Sequence, residues 1–183
     1  MGKKVSFLLI IVLLVIGIYL INVSPKDDIE EIQKVVIALE QPELTVAYIE
    51  LLEQNKAIAF YEWGHGEDSS FGNVILEENF LGWEIVRGGS LYLLEDSKLN
   101  WGHLELRGYL SSYTDLIRGK ITDPDIEKVQ VITKDGKEYQ AKVIKYNSEG
   151  RFWFLIANGE LLDATVTGLS FDGKVIEEIQ TSY

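Results

Sequence analysis

From Val5 to Val23 the chain reads VSFLLIIVLLVIGIYLINV, nineteen residues without a charge, behind Lys3 and Lys4. At about 1.5 Å per residue such a run makes a helix of roughly 28 Å, close to the hydrocarbon thickness of a bilayer. The pattern predicts a transmembrane helix over residues 5–23, with the basic tip on the cytoplasmic side. Two other fates remain open. A cleaved secretory signal has an apolar core of about 7–15 residues ending at small residues. Here Phe7–Ile21 is interrupted only by Gly17 and Tyr19, nothing like Ala-x-Ala follows, and Asn22-Val23-Ser24 runs into Pro25. Met1-Gly2-Lys3-Lys4-Val5-Ser6 also fits the N-myristoylation pattern. The signal anchor accounts for more of these residues than either alternative, and the protein is expected to be a single-pass membrane protein with an extracytoplasmic body.

After the apolar run the period changes. Ser24 and Pro25 suit a helix start, Asp27 and Asp28 suit its positive end, and Ile29, Ile32, Val36 and Leu39 recur at helical spacing. Pro42 should end this helix near Gln41. From Leu44 onward, short runs rich in Val, Ile, Tyr, Phe and Trp are separated by Gly, Asn and Asp, which marks strands. Tyr48–Leu52 and Ala57–Trp63 form an expected hairpin. Asn73–Glu77, Trp83–Val86, Ser90–Leu94 and Trp101–Leu106 follow, with Gly88-Gly89 read as a turn or bulge.

The second half is a meander of Leu116–Ile121, Ile126–Thr133, Glu138–Lys145, Arg151–Ile156, Ala164–Ser170 and Lys174–Ile179. Asp135-Gly136, Asn158-Gly159 and Asp172-Gly173 supply its turns. The expected fold is therefore α+β to mainly β. Residues 1–23 form the tip and anchor, residues 24–110 a helix with an antiparallel sheet, and residues 111–183 a small β-sandwich-like or barrel-like domain. No Pro/Gly-rich linker marks the boundary near Tyr109–Thr114, which leaves open one continuous sheet across it.

Composition sharpens this picture at one point. The chain of 183 residues carries 17 basic and 29 acidic side chains, a net charge of −12. Setting aside Lys3 and Lys4 leaves 15 basic against 29 acidic, so residues 24–183 carry −14. A body this acidic lacks the basic face that phosphate contacts need, which argues against a nucleic-acid partner. The absence of cysteine excludes disulfides, thiolate metal sites and a thiol nucleophile.

Candidate chemistry is sparse. Both histidines sit in the same tripeptide, Trp63-Gly64-His65 and Trp101-Gly102-His103, and His65 is followed by Gly66-Glu67-Asp68. Imidazoles and carboxylates suit a divalent metal, but such a site needs three or four converging ligands and no helical i, i+4 pair supplies them. Trp63, His65, Glu67, Asp68, Trp101 and His103 are therefore taken as binding candidates, with no metal or other cofactor expected. Asp123-Pro124-Asp125-Ile126-Glu127 resembles the start of a calcium loop, but lacks its glycine and distal Glu, and reads as a turn between strands. Trp83, Trp101, Trp153, Tyr92, Tyr109 and Tyr113 offer either core or an aromatic binding surface. No nucleophile-elbow, phosphate-loop or dinucleotide motif is present.

Phe60-Tyr61-Glu62, Phe80-Leu81-Gly82-Trp83-Glu84 and Arg151-Phe152-Trp153-Phe154, behind an N-terminal apolar segment, resemble small uncharacterised membrane-anchored extracytoplasmic proteins of Gram-positive spore-forming bacteria. The resemblance implies placement and carries no activity. The expected function is a membrane-tethered, non-catalytic module whose partner is a protein or envelope ligand. The alternatives are a cell-surface hydrolase or metal-dependent enzyme using the Gly64–Gly72 loop, and an inhibitor docking its acidic surface on a basic envelope enzyme.

Overall fold

The computed structural model describes residues 27–53, 55–64, 69–91, 97–148 and 150–182. Among these, the protein is mainly β, with three antiparallel four-stranded sheets and one short helix. No helix among the described residues is long and apolar enough to cross a membrane. The predicted anchor over residues 5–23 lies outside them.

Helix α1 spans Asp28–Ile37. Its cap is Asp27, whose carboxylate accepts from the Ile29 and Glu30 amides, so the Ser24 start lies outside the described residues. The helix also stops earlier than Pro42 requires. Glu40 and Glu43 adopt left-handed φ values of 53° and 51°, and the chain turns before it reaches the proline's steric limit. Ile32 and Val36 are fully buried, each contributing about 1.5–3 kcal/mol of hydrophobic stabilisation, while Ile29 at the first turn stays exposed.

The first sheet has the order β1 (Thr45–Leu52), β2 (Lys56–Trp63), β3 (Ser70–Asn79), β4 (Gly82–Leu91). β4 joins two predicted strands into one. Gly88 and Gly89 lie inside it, and the irregularity falls earlier, where Ile85 and Arg87 face Leu76 and Ile75. The space matters more than the turn here. A Cβ on Gly89 would come within 3.1 Å of the guanidinium of Arg118, itself only 2% exposed.

The second sheet has the order β5 (Gly102–Glu105), β6 (Asp115–Lys120), β10 (Arg151–Ala157), β9 (Lys142–Lys145). The third has β12 (Val175–Gln180), β11 (Thr165–Leu169), β7 (Lys128–Ile132), β8 (Glu138–Gln140). The predicted strand Glu138–Lys145 is thus two strands in two sheets, changing over at the buried Ala141. β5, from before the Tyr109–Thr114 stretch, pairs with β6 from after it.

Strand alternation orders the layers. Ala57, Ala59 and Tyr61 of β2 face α1 with Val74, Leu76 and Trp83. Ile58 and Phe60 face the second sheet, where the Phe60 ring lies 5.0 Å from Phe152 and 4.7 Å from Phe154. Trp153, between those two phenylalanines, points the other way, into a core shared with Ile117, Val129, Val131 and Val166. The order is therefore α1, first sheet, second sheet, third sheet, and the second sheet is buried on both faces. Gly119 permits its tightest approach, since a Cβ there would sit 1.6 Å from the Asn100 carbonyl oxygen that accepts the Trp153 indole N–H.

Candidate functional site

The residue pattern that fills the core also builds a polar end to it. Glu62 continues the Ile58, Phe60 row on β2, and Lys120 continues the Leu116, Arg118 row on β6. Both rows face the gap between the first and second sheets, so the last position of each meets the other where the apolar side chains run out. Lys120 Nζ donates to Glu62 Oε1, and the Tyr146 hydroxyl donates to Glu62 Oε2 at 2.5 Å. A Ser69 hydrogen bond completes the carboxylate's partners.

Burial would raise the Glu62 carboxyl, but the Lys120 and Tyr146 hydrogen bonds and the Lys120 charge outweigh it and hold the group below the ordinary carboxylate range. Burial and the same carboxylate push the Tyr146 hydroxyl well above its usual value. The pair therefore keeps one protonation state across neutral pH.

Glu62 and Lys120 border an open cleft of about 590 Å³ between the β2–β3 end, the β6 end and the β9–β10 connection. Ser69, Thr122, Asn147 and Ser148 line it with hydroxyl and amide groups. Arg151 forms its remaining cationic wall, held by the Ile126 carbonyl at 2.8 Å and the Asp123 carbonyl at 2.5 Å. The arrangement offers fixed donors and acceptors to a polar ligand.

The described sequence candidates lie in different layers. His65, Glu67 and Asp68 lie outside the described residues. Trp63 is half-buried on the α1 side of the first sheet, its ring 5.3 Å from Tyr61. His103 lies two layers away, opposite Ile117 on the face of the second sheet that looks to the third, with Nε2 at 2.5 Å from Asp115 Oδ1. Trp101 packs at the edge of that same core. No group of three or more metal-ligating side chains occurs among the described residues.

Asp123 and Asp125 form the expected turn, in which the Asp125 amide donates to Asp123 Oδ1 at 2.9 Å while Lys98 pairs with Asp123 at 3.2 Å. Of the aromatic candidates, Trp83 and Trp153 take the core reading. Trp153 is fully buried, Trp83 is 9% exposed, and they belong to different cores. What sequence reasoning missed is the Glu62–Lys120–Tyr146 cluster, whose members are 58 and 84 residues from Glu62. The only local signal was a charged residue at the core-facing end of an apolar strand.

Compared with known proteins, the chain matches no family model, no curated protein and no solved structure.

Proposed function

We propose that the protein is a membrane-tethered, non-catalytic binding module. Residues 5–23 anchor it, the acidic body lies outside the cytoplasm, and the Glu62–Arg151 cleft takes a peptide or other envelope ligand rich in hydroxyl and amide groups. The observation that carries this reading is the internal pairing of the cleft's charges. A general acid or base works best with a pKa near the operating pH. Glu62 is driven down and Tyr146 up, which suits fixed hydrogen bonding and not proton transfer. The small-residue wall of Ser69, Thr122 and Ser148 leaves room for a ligand backbone to approach.

Because the chain has no cysteine, one introduced thiol is unique. A photo-crosslinker attached at Ser148→Cys should yield a discrete adduct on intact cells, and the same reagent at Lys128→Cys, on the third sheet, should not. An impermeant maleimide should label both positions. Absence of a position-specific adduct would defeat the binding-module reading, and protection of both thiols would defeat the orientation.

A further inference from the structure

The β3–β4 hairpin ends in a two-residue loop, Phe80-Leu81, between the paired Asn79 and Gly82. These are among the most exposed large apolar side chains of the described residues, at 81% and 90%. Nothing in the turn demands them. The Asn79 side chain accepts the Leu81 amide at 2.7 Å, and the positive φ of 119° falls on Gly82. Tight hairpin loops are ordinarily polar or glycine-bearing. Two large hydrophobes at such a tip mark a contact surface.

The position of the tip identifies the surface. Immediately after it, the Trp83 indole approaches Asp28 Oδ1 at 3.4 Å, and a Cβ on Gly82 would lie 3.9 Å from Glu31 Oε2. The tip therefore stands beside the first turn of α1, where the chain arrives from residues 5–23. Val23 and Asp27 are four residues apart, and four residues span at most about 14 Å. A bilayer that holds Val23 at its surface therefore lies within about 14 Å of Asp27, at the end of α1 beside which the tip stands.

Resting on the proposed anchor, we infer that Phe80 and Leu81 dip into the headgroup–acyl boundary of the same bilayer and seat the body upon it. The surrounding charges select the lipid. Asp27 caps α1, Asp28, Glu30 and Glu31 lie in its first turn, and Glu77, Glu78 and Glu84 flank the tip on the hairpin strands. Among the described residues, Lys34 pairs with Glu30 and Lys56 with Glu77, which leaves this end of the body acidic on balance. A surface of this sign is repelled by anionic headgroups, so the seat favours zwitterionic lipid.

The test uses the full chain reconstituted in phosphatidylcholine vesicles, with a fluorophore on Leu81→Cys or, as control, on Phe171→Cys. Phe171 is 84% exposed but belongs to the β11–β12 turn of the third sheet, the layer farthest from α1. Carbonate-resistant flotation with the vesicles reports the anchor independently of either label. With flotation intact, a shallow lipid-borne quencher should quench the label at 81 several-fold more than the label at 171. Adding phosphatidylglycerol should lower that quenching. Equal quenching at the two positions, a label at 81 shielded from lipid by self-association, or stronger quenching in anionic vesicles would each overturn the seat while leaving the anchor standing. Failure to float would overturn the anchor itself.

Discussion

Replacing Lys120 by Met isolates the pair that closes the cleft end of the core. Methionine keeps most of the aliphatic stem, so the change removes the charge more than the packing. The side chains of Lys120 and Glu62 are only 15% and 18% exposed. Removing one partner of a fully buried pair costs about 3–5 kcal/mol. Glu62 keeps its Tyr146 and Ser69 donors, so the expected loss at pH 7 is about 2–3 kcal/mol.

The pH dependence is the sharper test. In the native protein the Glu62 pKa lies below its ordinary 4.5, so its contribution is complete above that value and fades as pH falls through the lowered one. Without Lys120, its hydrogen bond and charge no longer oppose burial, and the folded-state value rises from the native one. The variant's deficit should then grow as pH rises from 4 to 7, because the native fold holds the ionised carboxyl better than the variant does. Urea unfolding of native and variant protein followed by tryptophan fluorescence at pH 7, 5 and 4 measures this. A deficit below about 0.5 kcal/mol at pH 7, as for an exposed pair, or one unchanged between pH 7 and 4, would refute the buried-pair reasoning.

Gly119→Ala should destabilise the body by more than about 3 kcal/mol, because its Cβ would meet a backbone oxygen that cannot rotate away; soluble yield and unfolding midpoint report it. Asn73 is fully buried with neither side-chain amide atom hydrogen-bonded, so Asn73→Val should raise stability by about 1 kcal/mol in urea unfolding. A loss of stability would mean that the amide holds something the native core needs. Trp153→Leu should lower the unfolding midpoints seen by far-ultraviolet circular dichroism and by the fluorescence of the remaining Trp63, Trp83 and Trp101 together. Trp153 lies in the doubly covered sheet, so separate transitions would show that the sheets do not fold as one unit.

Much of the secondary structure was legible because alternation is a local property. Phe152, Phe154 and Ile156 against Trp153 and Leu155 already implied a strand with two apolar faces, and the structure puts a different core on each. Misreadings arose where tertiary packing used a local signal for another purpose. Gly88-Gly89 looked like punctuation but clears space beside Arg118, and the break at Ala141 leaves no mark in a continuous apolar–polar alternation. The candidate site was illegible for a related reason. Glu62, Lys120 and Tyr146 are each unremarkable in their own stretch, and only the stacking of two sheets makes them neighbours. His103 and the Trp-Gly-His repetition stood out by rarity, yet rarity carries no geometry, and the carboxylate beside His103 is Asp115, on a strand that the repetition did not suggest.

The two proposed contacts sit at opposite ends of the same strands. Lys56 of β2 pairs across to Glu77, near the Phe80-Leu81 tip, while Glu62 of the same strand closes the cleft. Six residues of strand separate them, roughly 20 Å at about 3.3 Å per residue. The intervening positions Ala57 to Tyr61 are all buried, between α1 on one side and the Phe152, Phe154 layer on the other. A strand packed on both faces cannot bend without opening both cores, so it acts as a strut. A tip seated on the bilayer would therefore hold the cleft facing away from it, at a fixed standoff that an anchor alone would not provide. The same geometry accounts for the charge. On the proposed seat, acidic side chains near the tip would resist an anionic surface, and apolar contact by two residues would set the orientation without gluing the body down.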